Sequence, residues 1–549
     1  MWAPEEDYKQ PLLTNSRVGG SGNSNNNSSG RSGSSSPSTR LQPEHSSRKC
    51  NDILFALLFL LVIGGMAAIS GIAYTKGDPS RLVPNAPNIP SIPGLNTNTT
   101  SSENAIEQYF VSHLENLVAE LKRDKDILIY SVLLAIVLGA AWIQLLKSFT
   151  RFFIYFTLCV GVALVATLGV LFMALGHKEG SESTMIVGGC IIICTLGLVV
   201  VIVYLRKSID LTCAMFTETC RGVQRSPSVF IIASLVVLFF IGFIAYWTSS
   251  FIYLFSIPGS TVNPLNDHTS SEANSTNSEQ EQSAFNTKIR NLMYFMIFGF
   301  FWASSFISAV FQHCVAGVVS NWYFSRDPTG KSLVGQENAY RSLGRALTTS
   351  FGSLAFGSLL IAFIEFMEFM LQVCKNSNAT NKLVVMVVSC LQCILGCIES
   401  IVRWINKFGY IYVAMHGHSF CTSTKECFDL ISRNMFNAVI MDFIGGLVLM
   451  LGKILGAAAS ALFTTALLYG MGKSLNPITI ALSAIFAFCI FNLFTHIVGI
   501  GTDTIFVCYL EDLETNKDGN LYISPDLHEL LQDKCNECKE KEQKNQSKV

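Results

Sequence analysis

Charge is scarce in this chain. Only 14% of its 549 residues are Asp, Glu, Lys or Arg, half are hydrophobic, and the mean hydropathy is +0.41. Soluble domains carry about a quarter charged residues, so the composition points to a bilayer as solvent. A net charge of −1 leaves no basic excess to displace counterions from phosphates, which argues against a nucleic-acid partner. Catalytic patterns are missing too: there is no HExxH, no GxSxG and no Walker A loop, so neither an enzyme nor a cofactor is expected. Metal signals are thin. Cys535 and Cys538 form one CxxC near His528 with no second pair, and His416 and His418 stand alone, so no metal site is expected. Many of the 17 cysteines lie inside apolar runs, as Cys190, Cys194, Cys314 and Cys489 do, where cysteine acts as a small hydrophobe.

What the chain has in abundance is long apolar runs. A helix needs about 20 apolar residues to cross the hydrocarbon core. Ten segments qualify: Ile53–Tyr74, Ile127–Leu146, Phe152–Leu175, Met185–Leu205, Val229–Ser256, Leu292–Tyr323, Ala346–Cys374, Leu383–Trp404, Ala438–Tyr469 and Ile478–Gly501. The expected fold is therefore all-α, a polytopic membrane helix bundle of about ten spans. Leu383–Trp404 carries Glu399 and Arg403 at its end and reads either as a span or as an amphipathic helix on the membrane surface.

Five regions follow. Residues 1–50, rich in Ser, Asn and Gly, read as a disordered cytoplasmic tail, because such a tract cannot bury enough apolar surface to offset chain entropy. Residues 51–75 form the first membrane helix, 76–126 an extracytoplasmic loop, 127–510 the remaining bundle, and 511–549 a cytoplasmic tail. Basic residues set the orientation. Arg48, Lys49, Lys147, Arg151, Arg206, Arg225, Arg326, Arg341, Lys407 and Arg433 fall on the inside under this count, while Lys122, Arg123 and Lys125 run against it. Sequons at Asn98 and Asn274 sit in the two long outside loops and are candidate glycosylation sites. Glu103–Lys122 has helical apolar spacing and reads as a small outside helix.

Within the bundle, the sixth span places Tyr294, Phe298, Trp302, Phe306, Ala309, His313, Ala316 and Ser320 on one face. Aromatic faces hold quaternary ammonium groups by cation–π attraction. The same pattern also fits ordinary packing or an interfacial aromatic belt. In the seventh span Ala346, Ser350, Ser353 and Gly357 form a small-residue face that permits close helix approach. Glu365 and Glu368 follow, either as functional intramembrane acids or as groups facing water near the outer end. Further polar residues inside spans are Asp442, Lys453, Asn492 and His496; the last could relay protons or be an ordinary hydrogen-bonded histidine.

Four stretches then carry a resemblance. They are Phe301–Ile307 leading to Ala316–Tyr323; Gly352–Leu359; Asn406–Ala414 running into His416–Ser423 and Leu430–Asn434; and Leu451–Lys453 with Asp503–Leu513. In this order and spacing the chain resembles the choline transporter-like solute carrier family over roughly residues 290–515. The resemblance implies a ten-span carrier with cytoplasmic termini at the plasma membrane, moving choline or a related quaternary or primary amine without ATP hydrolysis. It also implies a long cytoplasmic stretch after the Gly-Ser helix, and Glu365 and Glu368 stand where a neutral amide and a basic residue are expected. On this reading Trp302, Phe306, Trp247, Tyr323 and Glu365 hold the small cation, and Glu368 and His496 serve proton coupling. The competing reading is a membrane adaptor or scaffold whose tails recruit partners.

Overall fold

The computed structural model describes residues 49–77, 122–257, 277–325, 339–377, 381–473, 475–516 and 522. Asn98, Asn274, the expected outside helix Glu103–Lys122 except its last residue, most of the N-terminal tail and the Cys535–Cys538 pair lie outside the described residues. Among the described residues all regular structure is helical: α1 Ile53–Lys76, α2 Lys125–Glu179, α3 Glu182–Tyr204, α4 Arg206–Arg225, α5 Ser228–Phe255, α6 Asn277–Phe324, α7 Ala339–Leu347, α8 Phe351–Ser377, α9 Lys382–His416, α10 Phe420–Ser432, α11 Met435–Gly470 and α12 Pro477–Thr515. Nine of these, all but α4, α7 and α10, are long and apolar enough to cross a membrane.

The longest helix accommodates two of the ten apolar runs. At 55 residues α2 would be about 82 Å long if straight. It is broken at Phe149 (φ −128°, ψ 30°). A straight helix would hold residues eleven apart at about 16 Å along its axis, yet the Trp142 and Phe153 rings meet at 4.9 Å across the break. The chain thus bends back at Phe149, and its two arms match the runs Ile127–Leu146 and Phe152–Leu175.

Polar contacts sort the helix ends into two groups. At one end Asn51 Nδ2 donates to the Gly417 carbonyl (2.9 Å), Lys147 to Gln224 (3.0 Å), Ser208 to Asn437 (3.1 Å) and Tyr323 to Asp512 (3.0 Å). At the other, Tyr74 meets Ser249 (2.6 Å) and Ser250 (2.9 Å), while Lys473 and Thr479 each donate to Asp124 (both 3.1 Å). These are called the inner and outer ends below. Residues 206–225, counted in sequence as an inner loop, form α4, whose Ile209, Cys213, Phe216, Cys220 and Val223 make one buried stripe.

Leu383–Trp404 is resolved by its partner. Gln392 donates to Gln372 (2.9 Å) near the outer end of α8, and Asn406 to the Gly357 carbonyl (2.8 Å) near its inner end. The segment therefore runs antiparallel to α8 along its length inside one 35-residue helix, α9. The small-residue face of α8 is used as its chemistry suggests, with a different neighbour at each position. Ser350 meets His313 of α6 (3.2 Å), Ser353 donates to Asp52 (2.7 Å), and Gly357 lies under the Tyr410 and Phe420 rings. A Cβ at position 357 would come within 2.6 Å of both rings, so only glycine admits this approach.

Candidate functional site

Helix α6 is the middle of the bundle, and its two long faces differ. One carries Trp302, 1% exposed, with its indole N–H donating to the Ala355 carbonyl (3.1 Å) and its ring edge-on to Phe59 (5.3 Å). Phe306 packs on Phe59 (4.4 Å) and Phe351 (4.9 Å), and faces an apolar cleft of about 600 Å³ between α1, α5, α6 and α7. The described lining of that cleft has no Asp, Glu, Lys, Arg or His; the Tyr246 hydroxyl there is engaged with Ser70 (2.8 Å). Trp302 and Phe306 are thus brought together, but by packing against α1 and α8. Trp247 lies elsewhere: it stacks on Phe251 and Phe300 and donates to the Met296 carbonyl (2.9 Å). Tyr323 is farther still, at the inner end of α6, donating to Asp512 of α12.

The other face of α6 is polar. Ser304, Ser305, Ser308 and Gln312 follow helical spacing, and Ser308 is exposed in mid-helix. Ser305 Oγ donates to Glu365 on α8 (3.4 Å). The adjacent Phe311 ring stacks at 5.1 Å on His496 of α12, which is itself exposed. This face therefore looks into a gap bounded by α8 and α9 on one side and α12 on the other.

Helical spacing brings further charged faces to that gap. On α9, Glu399, Arg403 and Lys407 share one face. Arg403 pairs with both Glu399 and Glu365. Lys407, one turn inward, places its ammonium 2.7 and 2.9 Å from the two Asp442 oxygens of α11 and 3.0 Å from Asp503 of α12. The Trp404 indole N–H also donates to Asp442 (2.8 Å), and the Phe408 ring centroid lies 4.8 Å from the ammonium. On α11 Asp442 shares its face with Lys453, and on α12 Asp503 shares its face with His496 and Asn492. Glu368 lies outward of Glu365 on α8, its carboxylate 3.7 Å from where a Gly396 Cβ would be. Ions at this depth are costly to hold, and removing one partner of a buried pair costs about 3–5 kcal/mol.

At the inner end the gap is bound shut. Tyr323 ties α6 to Asp512, which also accepts from the Tyr522 amide (2.7 Å) and Asn516 (2.8 Å). His416 Nε2 of α9 lies 2.9 Å from Glu511 Oε1 of α12, without hydrogen-bond alignment. Cys508 Sγ of α12 sits 4.0 Å from Met415 Sδ of α9, fully buried between them.

With this geometry in hand, known proteins give the chain its family. The family model described as plasma-membrane choline transporter matches residues 189–514, more than half of the sequence. The chain belongs to the choline transporter-like family. It is 96% identical over its whole length to a CTL-like protein of Dictyostelium discoideum. It is 26% identical to choline transporter-like protein 2 of that organism, over 76% of this chain and 68% of the relative. With choline transporter-like protein 2 of Sus scrofa the identity is 30%, over 61% of this chain and 52% of the relative; the chain thus matches about half the length of that animal protein.

The choline transporter-like match begins in α3 and ends in the last turn of α12, so it contains every charged residue of the gap named above. Asp442, Lys453, Asn492, His496, Glu365 and Glu368 stand out in the sequence as polar groups inside apolar spans. The sequence count places Lys407 among the inside basic residues, and in the structure it lies within α9. Asp503 stood in a family-like stretch without a role. The serine face of α6 was legible from its spacing, but the larger aromatic residues drew the reading to the opposite face.

Proposed function

We propose that the chain is a secondary carrier for choline or a related amine, and that its cargo path is the gap between α6, the α8–α9 hairpin and the α11–α12 pair. The observation that carries the reading is the charge of that gap. Five carboxylates (Glu365, Glu368, Glu399, Asp442 and Asp503) stand against three cations (Arg403, Lys407 and Lys453) on helices built to cross a membrane. An acidic surplus raises the local concentration of cations. Trp404, Phe408 and Phe311 supply aromatic faces beside it, the surface a quaternary ammonium requires because it donates no hydrogen bonds. Trp302 and Phe306 support the path from behind by fixing α6 against α1 and α8. Trp247 holds α5 to α6, and Tyr323 closes the inner end.

Glu365, Glu368 and His496 face the outer part of the gap and are the groups through which a proton gradient would couple to transport. The inner end, with Lys49, Arg225, Arg341 and Arg433 near it, is assigned to the cytoplasm by the excess of basic residues. Asn98 and Asn274 then fall outside, where they would carry glycans, and the membrane of residence is the plasma membrane.

The test is uptake of radiolabelled choline into proteoliposomes holding the purified protein, with and without an imposed pH gradient. Saturable uptake, competed by unlabelled choline and lost in Glu365→Gln, supports the path. Absence of uptake under any gradient, from protein shown to be folded, removes choline as cargo.

A further inference from the structure

The deepest cation of the gap comes from the protein itself. Lys407 is chelated by Asp442 of α11 and reaches Asp503 of α12, with the Phe408 ring close to its ammonium. Its site has the parts that an organic cation needs: two carboxylates, an aromatic face, and the Trp404 N–H to hold Asp442 in place. It also ties α9 to both helices across the gap, directly outward of the buried Met415–Cys508 contact. The groups outward of it, His496 and Ser308, are exposed, whereas Cys508 inward of it is buried. One lysine therefore separates an open half from a closed half.

We propose that Lys407 is a tethered cation that locks the inner side of the gap. An organic cation arriving from the outer end takes its place between Asp442 and Asp503 and frees α9 from α11 and α12. This deepens the carrier reading and rests on it. The physical basis is differential binding: a ligand shifts an equilibrium only as far as it interacts differently with the two states. Here the carboxylates are paired with Lys407 in the closed state and with cargo in the released one. The exchange keeps one cation between the two carboxylates, so neither state leaves the buried Asp503 and the half-buried Asp442 uncompensated.

The test uses the full chain in lipid nanodiscs and reads alkylation of Cys508 by N-ethylmaleimide, mapped by mass spectrometry. In the unsubstituted protein labelling is slow and is accelerated by choline or by tetramethylammonium. In Lys407→Met it is fast without ligand, by about tenfold or more, and Lys407→Arg restores protection. Asp503→Asn removes one arm of the lock while keeping the Lys407–Asp442 pair, and gives an intermediate rate; it carries the test if Lys407→Met does not fold. Cys508 as protected in folded Lys407→Met as in the parent overturns the proposal, as does a parent that neither cation accelerates. Acceleration by tetramethylammonium without any by choline supports the lock and displacement while refuting choline as the cargo.

Discussion

Asp52 caps a helix that begins 368 residues away. Its carboxylate accepts the Phe420 N–H (2.8 Å) at the start of α10 and the Ser353 hydroxyl (2.7 Å) at the start of α8. Its own backbone is left-handed (φ 57°, ψ 36°), a conformation that Asp and Asn tolerate and alanine does not. Three substitutions separate these terms. Losing an N-cap acceptor costs about 1 kcal/mol, and losing a hydrogen bond to a charged group about 1.5–3 kcal/mol. The left-handed backbone adds about 1–2 kcal/mol for a residue with an ordinary Cβ. Asp52→Asn keeps a neutral acceptor and the backbone preference, and should cost about 1 kcal/mol. Asp52→Gly loses both bonds but suits the backbone, and should cost about 2.5–4 kcal/mol. Asp52→Ala loses both and is strained, about 3.5–6 kcal/mol if the terms were additive. Thermal unfolding in nanodiscs gives the order, and hydrogen exchange at the Phe420 amide locates the effect. An alanine variant as stable as the asparagine one, or a Phe420 amide equally protected in all three, would refute the reasoning.

Other positions give simpler tests. Gly357→Val forces a Cβ against the Tyr410 and Phe420 rings at 2.6 Å, and overpacking of this kind costs about 1–3 kcal/mol; the variant should melt earlier, with Gly357→Ala intermediate. At the outer end Asp124 is buried, which by itself pushes its carboxyl up, but the hydrogen bonds from Lys473 and Thr479 and the charges of Lys473 and Arg123 hold it below its ordinary value. A lowered folded value means the stabilisation is complete above the unfolded pKa of about 4 and is lost as pH falls through the folded one. Asp124→Asn should therefore cost about 1–2 kcal/mol at pH 7, and the two melting curves should converge on acidification below about pH 4; a constant difference across that range contradicts the assignment.

The bundle was legible because lipid demands long apolar runs, and each of those runs falls largely within a helix, several of which extend beyond it. Two features needed the structure. The break at Phe149 lies in a sequence with no proline to mark it, between arms that each read as a span. Leu383–Trp404 looked equivocal because Glu399 and Arg403 end it, yet their partner is Glu365 on the neighbouring helix, a pairing that hydropathy does not encode. The site was less legible for the same reason. Period-3.6 spacing identifies both faces of α6 but not which one is packed, and the aromatic face turned out to meet α1 and α8. Lys407 lies beyond the apolar run Leu383–Trp404 but within α9, so hydropathy does not mark it. Its partners Asp442 and Asp503 come from α11 and α12, 35 and 96 residues further along the chain.

Plugging the gap tests the central claim most directly. Ser308 is exposed in the polar face of α6, so Ser308→Trp adds an indole to the path without disturbing the packed side of the helix. Phe239→Trp places an indole at the apolar cleft on the other side of α6, with a smaller gain in bulk. With radiolabelled choline and proteoliposomes, Ser308→Trp should lose saturable uptake while melting like the parent, and Phe239→Trp should retain uptake. Parental uptake by a folded Ser308→Trp variant would show that the cargo does not pass through this gap.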